Sequence, residues 1–158
     1  MASETATAAE ASTQTRLEPW QGGLIAGLLG GLVFGAMMTM EMRMVMEMAI
    51  PGMYGLEPSL GAGWVIHLFH SVVLGVVFAV LVGATGLGDR LDGNLTIAVA
   101  GLAYGVVLWL VLASFVMPAW VGATTEMAPA VPDWNVQSLL GHAVYGVVLG
   151  LLYAILAR

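Results

Sequence analysis

Apolar residues in this chain gather into long runs with no strand-like alternation, and short clusters of proline, glycine and charge separate the runs. Four runs reach the roughly 20 residues that a helix needs to cross a hydrocarbon core about 30 Å thick. The first starts near Trp20 and runs through Met40, with a polar-spotted extension to Ile50, giving a helix over about 20–50. The others cover about 63–85, 95–117 and 136–157. Turn and helix-stop residues lie where the runs end: Pro51, Gly52 and Pro58, then Gly86 through Asn94, then Pro118, Pro129 and Pro132. The pattern predicts an all-α, polytopic membrane protein built as a four-transmembrane-helix bundle over 20–158.

The stretch before the first run, residues 1–19, is rich in Ala, Thr, Ser and Glu and has no apolar periodicity. A signal peptide needs a basic start and an apolar core, and this stretch offers neither. It reads as a disordered, mildly acidic cytoplasmic tail.

Composition agrees with the spans. The chain is 59% hydrophobic and 9% charged, whereas soluble domains carry about a quarter charged residues. Ten carboxylates stand against four basic residues, all arginine, so the basic footprint of a nucleic-acid binder is absent. The lack of cysteine removes disulfides, thiolate metal sites and cysteine nucleophiles. Neither a phosphate loop, a nucleophile elbow, a zincin helix nor a dinucleotide fingerprint is present, and no catalytic residue is assigned.

Arginine placement sets the expected orientation, because cytoplasmic loops hold the excess positive charge. Arg16, Arg90 and Arg158 fall on one side if four helices alternate, while the loops over 51–62 and 118–135 contain no basic residue. Both termini are thus expected in the cytoplasm, with the protein in the plasma membrane. Trp64, Trp120 and Trp134 would mark the outer interface and Trp20 the inner one. A faint repeat is also visible. Gly31–Gly35 echoes Gly101–Gly105, and Gly75–Ala79 echoes Gly146–Gly150, as a duplicated helical hairpin would produce; chance matching of glycine-rich sequence is the competing explanation.

Small residues spaced four apart supply the most specific signal. They are Gly23, Gly27, Gly31 and Gly35 in helix 1, and Ser71, Gly75, Ala79 and Gly83 in helix 2. Gly101 and Gly105 in helix 3, and Gly146, Gly150 and Ala154 in helix 4, continue the theme. Residues four apart share a helix face, and in lipid small faces allow the close backbone approach on which helix association depends. Extended by the same step, the stripes reach Thr39, Arg43 and Glu47 on helix 1, His67 on helix 2, and His142 and Ser138 on helix 4. His67 and His142 would lie about 6 and 9 Å below the outer boundary, with His70 on a flank and Arg43 paired to Glu47.

Ionisable residues inside a membrane are costly and often functional. Several readings stay open for this cluster. The histidines and the ion pair could simply bond across helices. His67 or His70 opposite His142 could ligate haem b, or a histidine could bond a quinone or small substrate. A zinc site fits less well, and the metal is left unknown. Eight methionines between Met37 and Met53 surround Glu41, and Met37, Met40, Met44 and Met48 have the spacing of a Cu(I) ligand row. Adaptable packing is the plainer reading of that run.

The glycine-rich first helix running into Met-rich sequence, then Pro51-Gly52-Met53, then Gly63-Trp64 and His67 followed by Gly75 and Ala79, resembles a group of small bacterial and archaeal membrane proteins of unknown function. The likeness covers about half the chain. It implies a four-helix membrane fold and brings no activity or ligand. Three functions remain in view: a non-enzymatic accessory or scaffold subunit that packs with itself or a larger membrane complex, a haem- or quinone-binding electron carrier, and a small metal-ion or solute transporter.

Overall fold

A computed structural model of the chain describes residues 16–86, 93–127 and 129–157, and they are all-helical. Four helices are long and apolar enough to cross a membrane: α1 (Pro19–Glu41), α2 (Leu60–Thr85), α3 (Asn94–Thr124) and α4 (Val136–Ala157). Their starts and stops follow local chemistry. Glu18 and Gln21 form a reciprocal capping box at the start of α1, and Pro19 takes the first-turn position where its missing N–H costs nothing. Ser59 caps α2 by accepting from the Ala62 N–H, and Asn135 caps α4 by accepting from the Ser138 N–H at 2.9 Å. Gly86 ends α2 in the left-handed conformation, φ 62°.

Glycine contacts place the helices. A Cβ on Gly27 would stand 2.6 Å from the Ser71 carbonyl oxygen, and one on Gly75 would stand 2.7 Å from the Gly27 Cα. The second hairpin repeats the arrangement: a Cβ on Gly101 would lie 2.9 Å from the Gly150 Cα and would also meet the Gly146 carbonyl. Backbone therefore touches backbone along α1–α2 and along α3–α4. The correspondence pairs Gly27 with Gly101 and Gly75 with Gly150, one helical turn away from the register that the sequence echo suggests.

A second stripe on α1 binds α4. Gly22, Ala26, Gly30, Phe34 and Met38 are all buried, and a Cβ on Gly22 would lie 2.6 Å from the Ala157 Cβ. Since α1 and α4 run antiparallel, the Leu17 N–H reaches the Leu156 carbonyl at 3.0 Å. Both ends of the described chain thus share the end of the bundle with Gly86 and Gly93; the loop end is opposite. Arg16 lies at the terminal end, while Arg90, Arg158 and most of the tail fall outside the described residues. Helices α2 and α3 stand apart. Tyr104 bridges them, donating its hydroxyl to the Leu74 carbonyl at 2.9 Å and setting its ring 5.3 Å from that of Phe78.

Two helix ends differ from the sequence reading, and a proline lies in the segment that follows each expected or observed end. Helix 1 does not continue to Ile50: it closes at Met42, whose φ is −137°. A π-helical turn (Val45–Ala49) and a short α-turn (Ile50–Gly52) then cross the start of α2. Pro51 has no N–H for the Glu47 carbonyl, and the Ser59 N–H takes that carbonyl at 2.8 Å. Helix 3 does not stop near Met117. It runs through a π segment (Trp109–Val116) and Pro118 to Thr124. There the orphaned Ser114 carbonyl accepts from the Asp133 N–H at 2.9 Å. A loop N–H supplies the missing donor each time, so proline does not end the segment.

Because Gly75 faces backbone and Gly83 faces open space, Gly75→Ala should lower stability by about 1–3 kcal/mol through forced separation of α1 and α2. Gly83→Ala should leave stability unchanged or raise it by up to about 1 kcal/mol. Unfolding of both variants in the same detergent checks the contrast.

Candidate functional site

Phe34 is the centre of the polar cluster. Its ring meets His67 of α2 edge-on with centroids 5.5 Å apart, and His142 of α4 with centroids 4.7 Å apart. Glycine makes this possible: a Cβ on Gly141 would overlap the Phe34 ring, and one on Gly35 would lie 2.5 Å from the Trp64 ring. Trp64 itself meets His67 edge-on with centroids 6.2 Å apart, so it packs into the α1–α2 seam.

Each buried imidazole is held by a backbone carbonyl. His67 Nε2–H donates to the Gly31 carbonyl at 2.9 Å, and His142 Nδ1–H donates to the Ser138 carbonyl at 2.8 Å. A carbonyl only accepts, so these bonds fix the proton on Nε2 of His67 and on Nδ1 of His142. Neighbouring hydroxyls behave alike: Ser71 donates to the His67 carbonyl at 2.8 Å, Tyr145 to the Ser71 carbonyl at 2.7 Å, and Thr39 to the Gly35 carbonyl at 2.8 Å. Among the described residues, no sealed side-chain nitrogen or oxygen lacks a partner.

The structure brings together His67 and His142, with Thr39 one turn beyond Gly35, and separates the others from them. His70 turns to the α2–α3 side, where its Nε2 lies 2.6 Å from the Tyr54 hydroxyl beside Trp120. Arg43 and Glu47 do form the expected i,i+4 pair, at 2.9 Å, but beyond the Met42 break and with 62% and 38% of their side chains exposed. Steps of four along α1 lose their meaning where the helix closes, and this puts the ion pair on the surface of the loop end.

Haem b does not fit between His67 and His142. Bis-histidine ligation needs both imidazoles to face one iron with a macrocycle between them. Here the Phe34 ring packs edge-on against both imidazoles, and the His67 Nε2 is committed to Gly31. The methionines also part company. Met38, Met46 and Met53 belong to the core, whereas Met40 and Met44 are 81% and 69% exposed. In the row through Met37, Met40, Met44 and Met48, the first and last are half-buried, the middle two are exposed, and none belongs to the core. Among the described residues, no group of three His, Cys, Asp or Glu is placed to hold a metal ion.

Sequence reasoning missed Phe34, Gly141, Tyr54 and Tyr145. A signal for the first was present in the spacing Gly22, Ala26, Gly30, which leads to Phe34 by steps of four. Because His67 and His142 share Phe34, their effects on stability should be coupled. A cycle of His67→Ala, His142→Ala and the double variant should show at least about 0.5 kcal/mol of non-additivity in denaturation. The coupling should vanish when Phe34→Ala is added; additivity in the parent chain would contradict the shared contact.

The comparisons with known proteins add a family and no chemistry. No curated protein and no solved structure matches the chain. The family model that does match spans residues 18–158, including all four membrane helices, and the chain belongs to that family, described as a family of unknown function, DUF6789.

Proposed function

We propose that this protein is a non-enzymatic membrane subunit that works by packing, as an accessory or scaffold partner of itself or of a larger membrane complex. The observation that carries this reading is how the interior polar groups are used. His67, His142, Ser71, Tyr104 and Tyr145 each spend a donor on a backbone carbonyl, and the Phe34 ring packs against both histidines. The bonds of His67, Tyr104 and Tyr145 join helices, while those of His142 and Ser71 return to their own helix one turn back. Helices α2 and α3, by contrast, carry long uncovered apolar faces, including Val65, Phe69, Val73 and Val77 on α2 and Leu95, Val99, Val106 and Leu110 on α3.

The proposed setting is the plasma membrane, with both termini cytoplasmic and no nucleic-acid partner. The arginine bias supports that orientation, and the pairing of Leu17 with Leu156 is consistent with both termini lying on one side.

Mild-detergent extraction followed by cross-linking should recover the chain in a complex larger than a monomer, and its absorption spectrum should lack a Soret band. A lone monomer at every cross-linker dose, or a Soret band that scales with the protein, would contradict the reading. The chain has no cysteine, so orientation can be tested with single introduced thiols. Glu57→Cys and Asp133→Cys should react with an impermeant maleimide on intact cells, and Ser12→Cys only after lysis.

A further inference from the structure

The seam between α2 and α3 lacks the glycine contacts of the other three. On the terminal side of Tyr104 it opens into a cleft of about 240 Å³. Phe78, Leu81, Val82 and Thr85 of α2 line it, facing Ala100 and Tyr104 of α3. The residue correspondence between the hairpins explains why this seam is wide. Gly30, which lets α1 approach Tyr145 of α4, corresponds to Tyr104 in α3. A ring stands where a hydrogen stands in the matching seam.

We propose that this cleft is a binding site for one acyl chain of a membrane phospholipid. Its two hydroxyls are both turned away from any guest. Tyr104 donates to the Leu74 carbonyl at 2.9 Å, and Thr85 donates to the Leu81 carbonyl at 2.6 Å. What remains to meet a ligand is methyl, methylene and aromatic surface, which favours a guest without polar groups along its length. A quinone head, whose carbonyl oxygens need donors, would find both hydroxyl protons already spent. Water would fare no better, since it needs two to four polar contacts to occupy a cavity.

Position singles out the same guest. The cleft runs seven residues along α2 from Phe78 to Thr85, about 10 Å at helical rise, and it stops one residue before the helix-ending Gly86. A phospholipid whose glycerol lies at that membrane boundary can lay the upper part of one chain into it. Leu81 in the lining is 46% exposed and its neighbour Val80 60% exposed, so the site opens sideways towards the bilayer. Chain length and saturation should therefore control binding more than the headgroup does.

The test is native mass spectrometry of the full chain, purified from phosphatidylethanolamine, phosphatidylglycerol or phosphatidylcholine bilayers and washed through increasing detergent. The parent chain should keep one phospholipid of any of the three classes. Ala100→Phe, which fills the cleft, should lower the retained fraction by about tenfold or more. Phe78→Ala, which enlarges it, should keep or raise that fraction. Val99→Phe, one residue away on an exposed face, should behave like the parent. Complete stripping of the parent, retention of one headgroup class alone, or equal retention by Ala100→Phe and the parent would each overturn the proposal.

Discussion

Inside a bilayer, a lipid chain is as apolar as a leucine, so burying apolar surface gives two helices little reason to prefer each other over solvent lipid. Close packing supplies the preference, and in this protein it means backbone against backbone. Gly23, Gly27 and Gly75 bring α1 and α2 together, and Gly101, Gly105, Gly146 and Gly150 do the same for α3 and α4. Everything else in the molecule depends on that approach. His67 reaches the Gly31 carbonyl, Tyr145 reaches the Ser71 carbonyl, and Phe34 meets both histidines because the helix axes are close.

Proline at the loop end follows the same economy of backbone groups. A carbonyl without a donor is expensive where water is scarce. Pro51 and Pro118 each create such a carbonyl, four residues upstream. Ser59 and Asp133 satisfy them through N–H groups from the connections that follow. These bonds anchor each connection to its span. They also account for the crossing of residues 45–52 over the start of α2, where Gly63 admits the Met46 carbonyl.

The number of spans and their approximate limits were legible in the sequence, because span length is set by bilayer thickness. The glycine stripes facing within each hairpin were legible too, since period four is a property of the helix alone. The second stripe on α1 was marked only by the short spacing Gly22, Ala26, Gly30, because Phe34 and Met38 interrupt its run of small residues. The site was legible only in part. Steps of four led to His67 and His142, which the fold brings against one ring, Phe34, but not to the placement of Arg43 and Glu47, which lie beyond the helix closure at Met42. No local rule in the sequence marks that closure; it belongs to the fit of residues 45–52 over α2. The repeat register was off by one turn because glycine-rich echoes slide by four residues without changing face.

The central claim is that glycine backbones touch along two seams in a defined register. NMR of the full, isotope-labelled chain in lipid nanodiscs tests it most directly. Strong contacts should appear between the α-protons of Gly27 and Gly75, and between those of Gly101 and Gly150. Their absence, or a contact linking Gly31 to Gly75 in their place, would contradict the account.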